Sequence, residues 1–235
     1  MAIDHALADA VRDGGPAVLR LYRWDPACLS LGRNQAVAGV LDARRARELG
    51  IDVVRRPTGG MSVWHEHELT YCVAAPVSLV GSPRQAYRRI NEALLHGLAA
   101  LGVRAELGAG AATPRAAVCF AAPAPGEVMA AGRKLIGSAQ RCERGVILQH
   151  GSLLLDGDQS TVARVFGSSP AGGAGTVRQL LGHVPEWSDL TRVIVAAFER
   201  LFGIRLAPRP LDFTATRRVS ELAEMYAAEQ WTWRA

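Results

Sequence analysis

The chain has 235 residues, of which 49% are apolar and 21% are charged, and its formal net charge is +5. This composition is ordinary for a globular protein that is long enough to bury a core without disulfides. The four cysteines form no CxxC pair, no signal peptide precedes the first helical pattern, and no apolar run approaches the length of a membrane span. We therefore expect a reduced, cytoplasmic protein with no membrane partner.

The basic charge is concentrated in arginine clusters at residues 44–47, 55–56 and 84–89. A basic surface favours an acidic partner, which could be a nucleic acid or an acidic protein. The clusters lack the regular aromatic interleaving of surfaces that bind single-stranded nucleic acid. We expect no nucleic-acid partner, and solvated helix faces remain the alternative for most of these arginines.

Apolar periodicity and capping residues predict the secondary structure. The predicted helices span residues 2–11, 42–49, 83–101, 188–202 (capped by Ser188 or Asp189) and 219–228. The predicted strands span residues 17–24, 28–31, 52–55, 61–74 and 204–206, with about three more between residues 127 and 155. Loops of small residues cover 108–118 and 167–175. Strands in runs, with helices between groups of them, predict one α+β domain over residues 1–235, with mixed, mostly antiparallel sheets flanked by helices.

Two glycines follow a basic pair in the segment RRPTGG, residues 55–60. Such a turn lets a bound chain or phosphate pass close to the backbone. The segment lacks the spacing and the lysine of a P-loop, and it leads into a strand, unlike a dinucleotide-binding fingerprint. A ligand site and a plain hairpin turn both remain open.

A second candidate is the polar cluster HEHE, which begins at His65. A His-x-His pair on a strand places both rings on one face and could bind zinc. No third ligand with suitable spacing is evident, so we expect no metal site. Either His65 or His67 could instead orient an arginine or a backbone group in a pocket.

A third candidate is the segment GRKLIGSAQRCERGVILQHGS, residues 132–152. It places Lys134 ahead of the small residues Gly137, Ser138 and Ala139. An amine beside small residues that expose backbone N–H groups suits an acyl carbonyl or a phosphate. A solvated lysine in a hairpin is the alternative.

Cys119 lies fifteen residues before Lys134. A lone cysteine is usually a buried structural thiol. Beside a lysine, its thiolate would be favoured and could attack a thioester. Cys28 and Cys72 lie within apolar strand patterns and are predicted to be core residues, whereas Cys142 is predicted to be more exposed.

Three segments taken together resemble the lipoate–protein ligase A/octanoyltransferase family: RRPTGGMSVWHEHELTY, VCFAAPAPGEVMAAGRKLIGSAQ and GVILQHGSLLLD. The resemblance extends from the opening MAIDHAL through YRWDPACLSLG to the closing EQWTWRA. It departs at Met61, Glu66 and Cys72, where the family usually has a small residue, an aspartate and a serine. The resemblance implies a catalytic domain of the biotin/lipoyl protein ligase type, without a large C-terminal accessory domain and with a further strand ahead of Met1.

The resemblance also implies a chemistry. Ligases of this family activate lipoate with ATP and Mg, whereas its cysteine-dependent octanoyltransferases take octanoate from acyl carrier protein through an acyl-enzyme. The motif cysteine and lysine correspond to Cys119 and Lys134, which are thereby implied to be catalytic. The cysteine favours a transferase that needs no cofactor and modifies a lipoyl-domain protein such as the glycine-cleavage H protein.

The same motifs imply a set of substrate-binding positions. These are Arg56, Gly59, Gly60, His65, Gly137, Ser138, Ala139, His150 and Gly151. An ATP-dependent ligase, a transferase between lipoyl domains and a noncatalytic acyl-binding module remain alternative functions.

Overall fold

The structure is a computed structural model that describes residues 1–109, 120, 125–166 and 173–234. Most of the loops predicted at 108–118 and 167–175 lies outside these residues, and so does Cys119. The described strands are β1 (Val18–Tyr22), β2 (Cys28–Leu31), β3 (Asp52–Arg55), β4 (Val63–His65), β5 (Glu68–Pro76), β6 (Glu106–Leu107), β7 (Val128–Ala130), β8 (Arg133–Glu143) and β9 (Val146–Leu154). The described helices are α1 (Ala2–Arg12), α2 (Ala43–Leu49), α3 (Val77–Val80), α4 (Pro83–Ala100), α5 (Ser160–Phe166), α6 (Val177–Leu181), α7 (Trp187–Phe202), α8 (Phe213–Ala227) and α9 (Glu229–Thr232).

Six strands form the larger sheet in the order β1-β5-β9-β8-β7-β6, and every neighbouring pair is antiparallel. The central strands β5 and β9 are buried along almost their whole length, so both faces of this sheet are covered. Alternation along β5 assigns its side chains to the two faces. Leu69, Tyr71 and Val73 join the main core under α4 and α7, whereas Ala74 packs against Leu7 of α1 on the opposite face.

Three strands form the smaller sheet in the order β3-β2-β4. β2 pairs in parallel with β3, and α2 lies in the connection between them, whereas β2 pairs antiparallel with β4. Leu29 and Leu31 of β2 are buried in a separate apolar cluster with Ala46 of α2. The prediction of an α+β fold with mixed, mostly antiparallel sheets is confirmed.

Several local signals read from the sequence are confirmed. Asp42 caps α2 by accepting the N–H of Arg45, and Gly50 ends that helix in the left-handed conformation. Ser82 and Gln85 form the reciprocal capping box at the start of α4. Side-chain oxygens bind N–H groups that a helix start would otherwise leave unpaired, which explains why these residues begin helices.

Three predicted boundaries are wrong. Helix α7 begins at Trp187 with Glu186 as its cap, two or three residues before the expected serine or aspartate cap. The described residues 204–206 form no strand, and the N–H of Leu206 instead donates to the carboxylate of Glu199. Helix α8 begins at Phe213, six residues earlier than expected. Apolar periodicity locates such elements, but tertiary contacts decide where they begin and end.

β1 lies at one edge of the larger sheet. The expectation that residues 1–235 form one domain, with a further strand ahead of Met1, stays a prediction. In the described part of the chain, no helix combines the length and the hydropathy that a membrane crossing requires.

Candidate active site

A small hollow of about 30 Å³ lies where the two sheets face each other. Residues of the smaller sheet and its adjoining turn line one side, and residues of β1, β5, β8 and β9 line the other. Seven positions that the sequence singles out are among the lining residues: Arg56, His65, Gly137, Ser138, Ala139, His150 and Gly151. Segments far apart in the chain therefore meet around one cavity.

Strand register explains why these residues share the hollow. Across β8 and β9, Gly137 is paired with Ser152 and Ala139 with His150. Side chains alternate between the two faces along a strand. Ile147 and Leu153 of β9 point into the main core under α4 and α7, so His150 and Ser152 lie on the opposite face. Small residues on β8 leave space above the sheet, and the polar residues of β9 border that space.

One side of the hollow contains a hydrogen-bonded relay through His65. Its Nδ1 donates to Oε1 of Glu68 at 2.8 Å, and its Nε2 lies 2.7 Å from Oγ of Ser30. Ser152 also donates to Glu68, at 2.9 Å. The indole ring of Trp24 stacks on the His65 ring with centroids 4.4 Å apart. With both ring nitrogens and one face in contact, His65 has a fixed orientation.

A second relay of the same kind runs through His150. Its Nδ1 lies 3.3 Å from Oδ2 of Asp4, and its Nε2 lies 2.6 Å from Oγ1 of Thr58. Asp4 also accepts hydrogen bonds from Arg20 at 2.6 Å and from Tyr22 at 2.8 Å. This relay ties helix α1 and strand β9 to the Thr-Gly-Gly turn.

Burial and charge act in different ways on the two titratable groups of the second relay. Burial would raise the pKa of Asp4, but the hydrogen bond with His150 and nearby positive charges, including Arg20, bring that pKa below its ordinary value. Burial lowers the pKa of His150, although the Asp4 carboxylate opposes this. Asp4 is therefore an anion and His150 is neutral near pH 7, so Nε2 of His150 accepts the Thr58 hydroxyl proton.

Arg56 holds the turn that follows it. Its guanidinium donates to the carbonyls of Gly59 at 2.8 Å and Met61 at 2.7 Å, and to Oγ of Ser30 at 3.1 Å. A planar fork with several donors suits this bracing of backbone oxygens. Arg56 therefore shapes the turn from within, although the sequence left open whether this basic pair binds a phosphate.

The two glycines of the turn have different environments. Gly60 has φ +90°, and its backbone packs so closely on Gly32 that a Cβ on Gly32 would lie 1.7 Å from the Gly60 carbonyl oxygen. Gly59 has open space where a Cβ would project. It borders a more open groove together with Arg33 and Arg141. Gly60 is thus required by the backbone conformation, whereas the fold places no such demand on Gly59.

The small-residue platform consists of Gly137, Ser138, Ala139 and Gly151. A Cβ on Gly151 would lie 2.5 Å from the carbonyl oxygen of Gly137 and 2.7 Å from the ring of Tyr71. Ser138 points to the helix side, where its Oγ lies 2.7 Å from the Tyr71 hydroxyl and 3.3 Å from Oδ1 of Asn91 on α4. The platform is therefore held by hydrogen bonds on the helix side of the sheet.

Lys134 is buried, with 3% of its surface exposed, so the solvated-hairpin alternative is wrong. Its ammonium donates to Oε1 of Glu127 at 2.6 Å and lies 5.2 Å from the centre of the Phe120 ring. Phe120 packs with Val63, which lines the hollow. Lys134 lies outside the described lining of the hollow and borders it through this aromatic ring.

A β-bulge accounts for the direction of the lysine. Met129 of β7 is paired with Lys134, but the residue before it in β7, Val128, is paired with Ile136, so Leu135 has no partner of its own. The extra residue, Leu135, allows two consecutive side chains of β8, Leu135 and Ile136, to enter the main core. Plain alternation would place Lys134 on the same side as Ile136, and the bulge instead turns it towards the Phe120 side.

The described cysteines match their predicted environments. Cys28 and Cys72 are buried and Cys142 is exposed. Burial raises the pKa of Cys28 to about 12 and that of Cys72 well above its ordinary value, so both are inert thiols near neutral pH. Phe120, the sequence neighbour of Cys119, lies beside Lys134.

The two histidines of the HEHE cluster do not act together. Strand β4 ends at the buried His65, whereas His67 lies in the following turn with 59% of its side chain exposed. Among the residues that the structure describes, no three His, Cys, Asp or Glu side chains are grouped to hold a metal ion.

Several site residues were not identified from the sequence. They are Asp4, Ser30, Thr58, Glu68, Tyr71, Asn91, Glu127 and Ser152. Two of them left a recognisable signal. Asp4 lies on the apolar stripe of α1 with Leu7 and Val11. An acidic residue is rarely buried there unless it has a partner, so its position indicates one. Glu127 precedes Lys134 across a hairpin turn at Gly132.

The sequence matches the family model for the lipoyl protein ligase A/B catalytic domain over residues 1–199. Among similar proteins, octanoyltransferase LipM of Lysinibacillus sphaericus is 37% identical over 258 aligned positions, which cover 100% of this chain and 94% of that protein. Octanoyltransferase LipM of Staphylococcus aureus is 34% identical, with 100% and 93% coverage.

Solved structures show the same fold. Protein Ta0514 of T. acidophilum, solved with bound lipoic acid, superposes with a TM-score of 0.85 at 22% identity, covering 100% of this chain and 92% of that one. A lipoate-protein ligase A bound with ATP also gives 0.85 at 22% identity, with 99% and 92% coverage. The expected biotin/lipoyl ligase type of fold is confirmed, and the chain belongs to the lipoyl protein ligase A/B catalytic-domain family as an acyltransferase.

Proposed function

We propose that this protein transfers an octanoyl group from octanoyl-acyl carrier protein to the lipoyl-domain lysine of an acceptor such as the glycine-cleavage H protein. The observation that carries the proposal is the buried Lys134, whose ammonium lies against Phe120 at the border of the hollow. In sequence, Phe120 directly follows Cys119, the proposed nucleophile. The octanoyltransferase relatives support the choice of acyl group.

The reaction proceeds in two steps. The Cys119 thiolate attacks the thioester carbonyl of the donor, the new C–S bond forms, and the thiolate of the carrier leaves. Lys134 favours the Cys119 thiolate and donates a hydrogen bond to the developing oxyanion. The acceptor lysine, as a neutral amine, then attacks the Cys119 thioester, the C–N bond forms and the C–S bond breaks, and the departing sulfur takes up the proton released by the amine while the Lys134 ammonium stabilises the oxyanion.

The hollow is the proposed place for the octanoyl chain. Its floor is made of small residues of the platform, and the polar side chains around it are bonded within the protein. Each methylene that leaves water contributes about 0.8 kcal/mol to binding. Arg56, His65 and His150 shape this space, and Gly59 and Gly60 form the turn at its edge.

The proposed transfer needs no cofactor, because the donor thioester is already activated. The protein would act in the cytoplasm, where acyl carrier protein and lipoyl domains serve as its partners, without a nucleic-acid or membrane partner. A ligase would instead need ATP and Mg to form an acyl-adenylate, and a lipoyl-domain transferase would take its acyl group from another lipoyl domain.

The test uses purified protein and octanoyl-acyl carrier protein without ATP. Intact mass should show one octanoyl adduct on the wild-type protein and none on a Cys119→Ala variant, with Cys142→Ala as the matched control that keeps the adduct. ATP-dependent modification of a lipoyl domain by the Cys119→Ala variant, without any adduct on the wild type, would favour the ligase. An adduct that forms only from an octanoylated lipoyl domain would favour transfer between lipoyl domains.

A further inference from the structure

A reactive amine near an acyl thioester presents a chemical hazard. If the Lys134 amine were neutral, its nitrogen could attack the Cys119 thioester carbonyl. The C–N bond would form, the C–S bond would break, and the departing thiolate would take up the proton released by the amine. The product would be an amide on the enzyme's own lysine, which no longer passes its acyl group to an acceptor. An ammonium cannot make this attack because its nitrogen has no lone pair.

Glu127 is placed to keep Lys134 an ammonium. The two charged atoms are 2.6 Å apart, and both side chains are at most 5% exposed. A buried carboxylate strongly favours the charged form of a neighbouring amine, and breaking such a pair leaves an uncompensated buried charge. The ring of Phe120 adds a second group that stabilises a cation.

The position of Glu127 is itself fixed from the helix side of the larger sheet. Asn91, fully buried on α4, donates to the carbonyl of Gly126 at 2.8 Å. The carbonyl of Glu127 accepts the N–H of Gly108 at 2.7 Å. The amide oxygen of Asn91 receives the hydroxyl of Ser138 on the platform. The platform and the carboxylate that holds the lysine therefore share one support.

We propose that Glu127 is a positioning residue that protects the acyl-enzyme from self-acylation, by keeping Lys134 protonated. This inference rests on the proposed function, because it requires an acyl group on Cys119. It assigns Lys134 an electrostatic role and explains how an amine can border the acyl site without consuming the substrate.

The test measures the chemical nature of the adduct. Wild-type protein, Glu127→Gln and the control Glu106→Gln are each incubated with octanoyl-acyl carrier protein without an acceptor, then treated with hydroxylamine and analysed by intact mass and peptide mapping. Glu106 is an exposed carboxylate on the neighbouring β6, so its exchange leaves the lysine pair untouched. Hydroxylamine removes a thioester but not an amide.

We expect a hydroxylamine-labile adduct on the wild type and the Glu106→Gln variant. The Glu127→Gln variant should accumulate at least about tenfold more resistant adduct, mapped to Lys134, because the buried ammonium loses the carboxylate that pairs with it. A Glu127→Gln adduct as labile as that of the wild type, or a resistant adduct at another residue, would overturn the inference.

A second variant decides the matter if Glu127→Gln does not fold. Glu127→Asp keeps the carboxylate but withdraws it by one methylene, so it should give resistant adduct between the levels of the wild type and a variant without the charge. Resistant adduct equal to that of the wild type in Glu127→Asp would contradict the protective role. Absence of any adduct on the wild type would contradict the proposed function itself and is distinguishable from both results.

Discussion

The two sides of the hollow use buried polar groups in different ways. On the turn side, Arg56 donates to backbone carbonyls of the turn, and His65 bonds to Glu68. His150 of β9 bonds across the hollow to Thr58 of the turn and also to Asp4. On the lysine side, the Lys134 ammonium is held by the Glu127 carboxylate beside the ring of Phe120, the residue that follows Cys119 in sequence. The turn side is built to hold a shape, whereas the lysine side holds a charge that can respond to a reacting group.

This comparison predicts that the largest loss of activity comes from the lysine. Lys134→Met should lower acyl transfer by at least about 10²-fold, because the donor to the developing oxyanion is lost. It should also cost about 3–5 kcal/mol of stability, because Glu127 is left as an unpaired buried charge. Transfer is measured by intact mass of the acceptor and stability by urea unfolding.

A double variant separates the two effects of that change. Lys134→Met/Glu127→Leu replaces the pair by apolar groups and should recover most of the lost stability without recovering transfer. Recovery of both stability and transfer in the double variant would show that the lysine has only a structural role.

The platform should be the next most sensitive part. Gly151→Ala places a methyl group against the Gly137 carbonyl and the Tyr71 ring, so we expect the floor of the hollow to shift and the KM for the acyl donor to rise about tenfold or more, with a stability loss of about 1–3 kcal/mol from overpacking. The matched change Gly59→Ala meets no atom within 4 Å and should leave the fold intact. Equal effects of the two changes would contradict the picture of a tightly built floor.

A smaller effect is expected from one relay on the turn side. Thr58→Val removes the hydroxyl bound by His150 while keeping the shape of the side chain, so it should cost about 1–3 kcal/mol of stability and lower transfer only a few-fold. Thr216→Val, at an exposed helix position, is the control and should change neither by much. A loss of transfer as large as that of Lys134→Met would mean that this relay takes part in the chemistry.

The mildest change is a shift of pH. The pKa of His150 lies below its ordinary value of 6.5, and that of Asp4 also lies below its ordinary value. The fold therefore binds fewer protons than the unfolded chain as pH falls, so the free energy of unfolding should be highest above about pH 6.5 and decrease on acidification. Urea unfolding between pH 7.5 and 5 should show this decrease beginning near the ordinary histidine pKa of about 6.5, and His150→Gln should flatten it. An unchanged slope in that variant would mean that other groups govern acid stability.

Local chemistry explains what could be predicted from the sequence. Ser82 with Gln85, and Asp42 with Gly50, are local signals of a helix start or end. The strand-like runs at 61–74 and between 127 and 155 predicted the strands that include β5 and β9. Lys134, His65 and His150 could be singled out because the motif segments contain them.

The contacts between these residues could not be predicted, because they join distant segments. Asp4 and His150 are 146 positions apart, and Ser30 and His65 are 35 apart. The bulge at Leu135 places Lys134 on the face of the sheet opposite to the one that regular alternation from Ile136 predicts. Residues 204–206 have strand-like composition, but the N–H of Leu206 bonds to Glu199 instead of a neighbouring strand. Such outcomes depend on tertiary partners and not on intrinsic preference.

If an acyl group passes through Cys119 under the influence of Lys134, a single-turnover chase should reveal that passage. Enzyme loaded with labelled octanoate is freed of donor and mixed with a lipoyl domain, and the label is followed on both proteins. The account predicts that label leaves the enzyme at the rate at which it appears on the acceptor lysine, and that neither occurs with Cys119→Ala. Acceptor labelling that proceeds with Cys119→Ala and requires ATP would contradict it.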